Sequence, residues 1–403
     1  YIVIKLILIT TLVLTSFFSF GQNDWTKKAS FSGYKVERAV GFSIAGQGYI
    51  CAGQDTGNIV RNDLWQYSPA SNSWAQKANL PAVGRRNAVA FTINNKGYVG
   101  TGMSAAESSL GSTLNDFWEY SPATNSWVQI ANYPGGFGNG VYFATAFSID
   151  SKGYVCCGKI SAANYANDLW EYKPSVDQWI QRASFAGGDR YQLISFVVDD
   201  KAYVGLGTDY NAYTNDLWEF NPSTNFWTQK NNFPGAERSA ASAFGIGQRG
   251  YLGMGGDGGY LDDFWEYNPY SDSWLVREEF PGGERRNAIS FVIGDRGYIG
   301  TGKGYSGLRR SIYEYTPLVV GIEEGNLAEF NLYPNPTVDF VNIETQKAFV
   351  LSIMDNLGRI VKTINVPGGN TSIDVSSFSK GVYQLMGQNE SGERFTKQLI
   401  IRG

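Results

Sequence analysis

An arginine recurs in four sequence repeats, each time six residues ahead of a phenylalanine. The four residues are Arg85, Arg190, Arg238 and Arg285. A guanidinium group binds a carboxylate through two parallel hydrogen bonds, so several together would suit a carboxylate-bearing or hydroxyl-rich ligand. We predict that the four converge near a central channel and bind such a ligand. A structural role in the turn is the alternative, because Asp189, Glu237 and Glu284 directly precede three of them.

Tyrosines occupy loops that we expect on the same face as these arginines. The candidates are Tyr165, Tyr213, Tyr260 and Tyr305. The loops differ in length, from residues 102–116 in the second repeat to 256–263 in the fifth. Variable loops on a rigid scaffold are the usual place for binding, and tyrosine rings offer flat stacking platforms. These tyrosines complete the predicted ligand site.

The composition excludes several kinds of chemistry. The sequence has no histidine, which removes the usual general base, the commonest zinc ligand and any Ser-His-Asp triad. Cys51, Cys156 and Cys157 lack framework spacing, and we interpret them as small buried residues rather than a redox site. We therefore expect no metal, no cofactor and no catalytic residue. The net charge of −4 and the lack of a basic stripe argue against a nucleic-acid partner.

A unit of about fifty residues is repeated six times, and it must position these side chains. Six tryptophans recur at intervals of 47 to 53 residues: Trp25, Trp74, Trp127, Trp179, Trp227 and Trp274. Each unit also has a Gly-Tyr or Ala-Tyr pair and, in five units, a later aspartate, which we interpret as a turn residue: Asp63, Asp116, Asp168, Asp216 and Asp263. Four short strands per unit are typical of a propeller blade.

The two ends of the repeat region complement each other. The last unit ends at Pro317 without a following tryptophan, while a surplus strand, residues 24–27, precedes the first unit. We predict that this N-terminal strand completes the sixth blade, which removes two open sheet edges.

The repeats resemble the kelch repeat over roughly residues 24–317. Six residues separate Tyr67 from Trp74, as in that family, although Thr-Gly or Cys-Gly often replaces the usual Gly-Gly pair. The resemblance implies an all-β, six-bladed kelch-type β-propeller. The kelch-like family best known for catalysis resembles galactose oxidase, but the copper-radical chemistry of that enzyme needs histidine ligands that this sequence lacks.

The C-terminal segment has a different pattern, with short alternating strands and its own motifs. They are Tyr333-Pro334-Asn335-Pro336, a turn containing Gly358, the pair Gly381 and Tyr383 (with Val382 between), and Lys397 before the final apolar run. These motifs resemble the type A C-terminal sorting domain of the type IX secretion system. The resemblance implies a small Ig-like β-sandwich, the secretion machinery as a partner, and export to the outer surface of a Gram-negative cell. An ordinary accessory sandwich is the alternative.

These observations predict a signal peptide at 1–21, a propeller at 22–317, a linker at 318–330 and a sorting domain at 331–403. Lys5, followed by an apolar run to Phe20, carries the signal-peptide prediction, and we expect no membrane span in the mature protein. We expect a secreted or cell-surface protein that binds a glycan or protein without catalysis. The alternative is a carbohydrate-active enzyme, sialidase-like or epimerase-like, that uses arginines and carboxylates on the same face.

Overall fold

The computed structural model describes residues 24–104, 112–317, 330–355, 360–388 and 394–402. The predicted signal peptide and Gly358 lie outside these ranges. The chain divides into two compact units, Tyr1–Pro317 and Leu318–Gly403. Within the described ranges the regular elements are all β-strands, and no helix there is long and apolar enough to cross a membrane.

The first unit contains six four-stranded antiparallel sheets, the blades, whose strands are named here from the centre outward. Blade one has β3 (Val40–Ile44), β4 (Gln47–Cys51), β6 (Leu64–Ser68) and β7 (Ser73–Lys77). Blade two has β8 (Val89–Ile93), β9 (Lys96–Gly100), β10 (Phe117–Ser121) and β11 (Ser126–Ile130). Blade three has β12 (Thr145–Ile149), β13 (Lys152–Lys159), β14 (Tyr165–Lys173) and β15 (Gln178–Arg182).

Blades four to six repeat this arrangement. Blade four has β16 (Ile194–Val198), β17 (Lys201–Gly205), β18 (Leu217–Asn221) and β19 (Phe226–Lys230). Blade five has β20 (Ser242–Ile246), β21 (Arg249–Gly253), β22 (Phe264–Asn268) and β23 (Ser273–Arg277). Blade six has β24 (Ile289–Ile293), β25 (Arg296–Gly300), β28 (Ile312–Thr316) and, outermost, β1 (Asp24–Lys28). Short ladders join β2 (Val36–Glu37) to β5 (Gln54–Asp55) and β26 (Lys303–Gly304) to β27 (Gly307–Leu308).

The blades form a closed ring. First strands of neighbouring blades contact each other in the order β3, β8, β12, β16, β20, β24 and again β3. β1 pairs antiparallel with β28 and places Trp25 opposite Tyr315. Both ends of the propeller segment therefore lie in one sheet. The all-β, six-bladed prediction is confirmed.

The Gly-Tyr pair of each unit has a packing reason. The ring of Phe42 in blade one lies on Gly97 of blade two, where an added Cβ would be 2.4 Å from Phe42 Cε2. The next residue, Tyr98, is buried and donates a hydrogen bond from its hydroxyl to Glu119 at 2.6 Å. The glycine thus lets blades stack closely, and the tyrosine satisfies its polar end inside its own blade.

The second unit has two sheets around one core. The smaller sheet has the order β29 (Asn331–Tyr333), β30 (Phe340–Thr345) and β33 (Gly369–Asp374). The larger has the order β32 (Ile360–Val366), β31 (Phe349–Met354), β34 (Gly381–Gln388) and β35 (Arg394–Ile401). Val341, Ile343, Leu351, Ile353 and Leu385 are fully buried between them, which makes this unit a small β-sandwich.

Candidate functional site

The four predicted arginines lie inside the blades. Arg85 and Arg285 have no exposed surface, Arg238 has 1% and Arg190 has 4%. Each donates from Nη1 to the carbonyl oxygen sixteen residues later, at 3.0 to 3.1 Å; these acceptors are Thr101, Leu206, Met254 and Thr301. The structure corrects the prediction that these residues converge on a ligand, because burial and internal hydrogen bonds occupy their guanidinium groups.

Three of these arginines have a carboxylate partner in their own blade. Arg85 binds Asp116 with Nη1–Oδ1 and Nη2–Oδ2 distances of 2.9 and 2.7 Å, and Trp118 Nε1 donates to the same carboxylate. The same arrangement joins Arg190 to Asp216 and Arg238 to Asp263. Asp116, Asp216 and Asp263 are therefore ion-pair partners rather than simple turn residues. Burial acts to raise the pKa of Asp116, but the bonds and charge of Arg85 overcome it and hold this pKa below its ordinary value.

Blades one and three have a valine, Val36 or Val141, in place of the arginine. In blade three the hydroxyl of Tyr133 is buried within electrostatic range of Asp168, where other blades have a phenylalanine or leucine. Asp168 accepts from Trp170 Nε1 at 2.7 Å, yet its Oδ1 has no hydrogen-bond partner among the described residues. Burial raises the pKa of the Asp168 carboxyl above its ordinary value.

A ring of six residues surrounds the channel mouth on the loop face, each two positions after the buried arginine or valine. This collar consists of Arg38, Asn87, Phe143, Gln192, Ala240 and Asn287. Each backbone N–H donates to the carbonyl oxygen of the preceding member, at 2.8 to 3.2 Å, and the last bond closes from Arg38 to Asn287. All six have φ between 54° and 61°. The left-handed conformation turns each peptide toward the neighbouring blade.

Collar side chains reach across the mouth. The Arg38 guanidinium lies 5.4 Å from the centre of the Phe143 ring, two blades away. Asn287 Nδ2 donates to Glu37 at 3.2 Å, and Glu37 is 3.7 Å from Arg38 Nε. Asn87 is 5% exposed, and neither atom of its amide has a hydrogen-bond partner among the described residues. A buried amide in this state is a donor and an acceptor available to a ligand.

Aromatic rings continue outward from the collar at blades three and four. Phe143 and Tyr191 are 6.1 Å apart, Tyr191 and Tyr165 are 4.8 Å apart, and Tyr165 stacks on Tyr210 at 4.2 Å. Lys159 lies against this path, 4.7 Å from the Tyr191 ring and 5.4 Å from the Tyr165 ring. Burial raises the pKa of Tyr191 to about 12, so its hydroxyl keeps its proton at neutral pH.

The other predicted tyrosines lie elsewhere on the loop face. Tyr260 and Tyr305 form an edge-to-face pair at 4.8 Å between blades five and six, with the Arg286 guanidinium 5.1 Å from the Tyr260 ring. Tyr305 is 72% exposed. Tyr213 is half-buried and bridges to the backbone of Thr208. The structure thus places Tyr165 in the aromatic path and Tyr260 with Tyr305 in a separate pair, while Tyr213 has its contact with Thr208.

Two further arginines directly follow buried ones and were not predicted as site residues. Arg86 comes after Arg85, and Arg286 comes after Arg285. Both lie in short extended bridges, where successive side chains point to opposite sides, so the second arginine of each pair points away from the blade core. Arg86 donates to Gln54 of blade one. The doubled arginine was the signal available in the sequence.

A polar cleft of about 450 Å³ borders blade one, lined in part by Tyr34, Arg61, Asp63 and Trp65. Its charged groups already have partners, because Arg61 pairs with Asp55 and Asp63 accepts from Trp65 Nε1 at 2.6 Å. Nowhere in the described ranges do three or more His, Cys, Asp or Glu residues form a group that could hold a metal ion. The collar is therefore the stronger candidate site.

The motif residues of the second unit join its two ends. Asn335 Oδ1 accepts from the backbone N–H of Ile400 at 2.8 Å, and Lys397 Nζ donates to the carbonyl oxygen of Phe330. Tyr383 donates from its hydroxyl to Ser379 O at 2.9 Å. The opening and closing motifs thus stabilise one local structure.

Comparison with known proteins identifies both units. Residues 139–302 match the KLHDC2/KLHL20/DRC7 Kelch-repeats domain, and residues 331–402 match the secretion system C-terminal sorting domain. The solved structure titled "Structure of YjhT" is similar with a TM-score of 0.59 and 16% identity, over 72% of this chain and 95% of that one. At this identity the likeness concerns the fold. No curated protein matches the chain. The chain is therefore a kelch-repeat β-propeller protein with a type IX C-terminal sorting domain, which indicates secretion or display on the cell surface.

Proposed function

We propose that this protein is an exported recognition protein that binds a carboxylate-bearing glycan at the collar without catalysing a reaction. The observation that carries the proposal is the Asn87 amide, which is buried at the mouth with both polar atoms unpartnered among the described residues. Native proteins leave few buried polar groups in that state, and a ligand that supplies both partners explains this one.

The charge around the mouth favours an acidic ligand. The six collar residues and the six residues directly before them include Arg38, Arg86 and Arg286 but one carboxylate, Glu37. Lys159 adds a further positive charge beside Tyr191. The whole chain has a net charge of −4, so this positive region is local. Such a region attracts anions and orients carboxylates through guanidinium bonds.

The aromatic path favours an elongated sugar ligand. Phe143, Tyr191, Tyr165 and Tyr210 lead from the collar to the edge of the loop face, and Tyr210 is 55% exposed. Rings with a polar hydroxyl provide both a stacking surface and hydrogen bonds. Among the six collar residues and the six directly before them, Glu37 is the one carboxylate, which favours binding over glycoside hydrolysis, a reaction that ordinarily uses two.

An array of uronic-acid oligosaccharides beside their neutral counterparts tests the proposal with the full exported chain. We expect retention of acidic glycans, and a loss of about tenfold or more in Arg38→Gln and Arg286→Gln, because a hydrogen bond to a charged group contributes about 1.5–3 kcal/mol. Asn87→Asp keeps the side-chain shape but adds a negative charge, and it should abolish retention.

Arg249→Gln is the matched control. Arg249 follows the hairpin between β20 and β21, on the opposite face, and pairs with Glu266. Its loss removes the same charge from the chain and should leave retention unchanged. Equal retention of neutral glycans, equal loss in the control, or no retention by the folded wild-type protein would each contradict the proposal.

A further inference from the structure

Cys156 and Cys157 meet at their sulfur atoms inside blade three. Their Sγ atoms are 3.1 Å apart, closer than the about 3.5–4.0 Å at which non-bonded carbon atoms settle. Both side chains have no exposed surface, and in the structure the sulfurs touch without a bond. We infer that these adjacent cysteines form a disulfide with each other in the exported protein.

The backbone makes this contact possible. Successive side chains of a regular strand point to opposite faces, so adjacent cysteines would normally be held apart. The pairing of β13 with β14 shifts register between Cys156 and Gly158, and Cys157 takes a φ of 64°. This bulge breaks the alternation and turns both sulfurs to one side. In blade one the residue with this positive φ is Ala52, which follows Cys51. Because alanine has no sulfur, blade one has a single thiol at this place.

The export route supplies the oxidant. A protein with this sorting domain leaves the cytoplasm, and disulfides form and persist in the periplasm and outside the cell. One thiolate attacks the disulfide of a periplasmic thiol oxidoreductase and forms a mixed disulfide. The second cysteine then displaces the enzyme, so that two thiols lose two electrons and two protons while the oxidant becomes a dithiol. Oxidation precedes folding, because the folded chain buries both sulfurs.

The bond has a local effect. It encloses no loop, so the entropic stabilisation of long-range disulfides does not apply. It fixes the bulge that leads through Gly158 to Lys159, which contacts Tyr165 and Tyr191. Adjacent Cα atoms are about 3.8 Å apart, below the usual disulfide range of about 4.4–6.8 Å, so the bond is strained and easily reduced once exposed.

Counting thiols in the full chain collected from the culture medium tests the inference. The protein is denatured and alkylated with iodoacetamide, with and without prior reduction. Of the three cysteines, we expect one alkylated without reduction, Cys51, and all three after it. Without reduction, the peptide that contains Cys156 and Cys157 should have a mass two hydrogen atoms below that of the same peptide with two free thiols.

The Cys51→Ala variant excludes other pairings, and it should show no alkylation before reduction and two sites after. The same chain purified from reducing cytoplasm provides the thiol reference. Three alkylated cysteines in the unreduced exported protein, or a disulfide between Cys51 and one of the two adjacent cysteines, would overturn the inference.

Discussion

Asp116 and Asp168 occupy the same position in blades two and three, but only Asp116 has an arginine partner. The pKa of Asp116 is lowered because Arg85 outweighs burial, whereas burial raises the pKa of Asp168 beside Val141 and Tyr133. One repeated residue type thus has opposite electrostatic roles in neighbouring blades. The exchange of an arginine for a valine decides which role it has.

This contrast predicts opposite responses to pH. The carboxyl of Asp168 has a higher pKa in the folded protein than in the unfolded chain, where it is about 3.9. The free energy of unfolding therefore falls as the pH rises from about 3.9 through the raised folded pKa. Asp168→Asn has no proton to lose and should stabilise the protein at pH 7, with a gain that vanishes below about pH 3.9. Urea unfolding across this pH range measures the difference.

Asp116→Asn is the matched comparison. The lowered folded pKa of Asp116 contributes stability above its unfolded pKa, and this stability is lost as pH falls through the folded pKa. Asp116→Asn should therefore lower the free energy of unfolding at pH 7, and this difference from the wild type should disappear at acidic pH. If both asparagine variants changed the free energy of unfolding at pH 7 in the same direction, the opposite roles of the two aspartates would be contradicted.

The Arg85–Asp116 pair should matter far more than a surface pair in the same blade. Arg85→Ala leaves a carboxylate and the Thr101 carbonyl unpaired in the blade, and we expect a loss of about 3–5 kcal/mol. Lys96 pairs with Glu119 at 2.6 Å on the surface, so Lys96→Ala should cost at most about 1 kcal/mol. Equilibrium unfolding measures both losses in the free energy of unfolding. Similar values for the two variants would show that burial does not make the Arg85–Asp116 pair more important than the surface pair.

Trp25 should be essential for closing the propeller. Its ring contacts Phe264, Phe280 and Tyr315 at centroid distances of 4.9 to 5.0 Å. Trp25→Ala should destabilise by about 3–5 kcal/mol, whereas the exposed neighbour Thr26→Ala should stay within about 0.5 kcal/mol. Thermal unfolding measures both. An unchanged melting temperature in Trp25→Ala would mean that β1 adds nothing to blade six.

Export should depend on the contact between the two ends of the sorting domain. Asn335→Ala removes the acceptor for Ile400 N–H, costs about 1 kcal/mol, and should lower the fraction of protein outside the cell. Deleting residues 331–403 should abolish export, and Asn331→Ala in neighbouring β29 is the control that should not change it. Immunoblots of medium, surface and periplasm give the fractions. Normal export of the truncated chain would refute the sorting role.

The fold could be predicted because its determinants are local and repeated. Tryptophans and Gly-Tyr pairs recur at blade spacing, and each records packing against the next blade, as between Phe42 and Gly97. The site could not be predicted in the same way. Arg85 and Arg86 point to opposite sides of an extended chain, so a one-residue error places the wrong arginine inside the blade. The collar bonds join residues from different blades, and no local pattern marks them.

The collar also determines how charge at the mouth can vary. Peptide dipoles in a helix point the same way and add to a net field at its ends. The six collar peptides instead follow one another head to tail around a closed circle, so their dipoles cancel. The backbone therefore gives the mouth no polarity of its own. Its sign depends on side chains such as Arg38, Arg86 and Glu37, which can be exchanged for a different ligand while the ring of bonds stays intact.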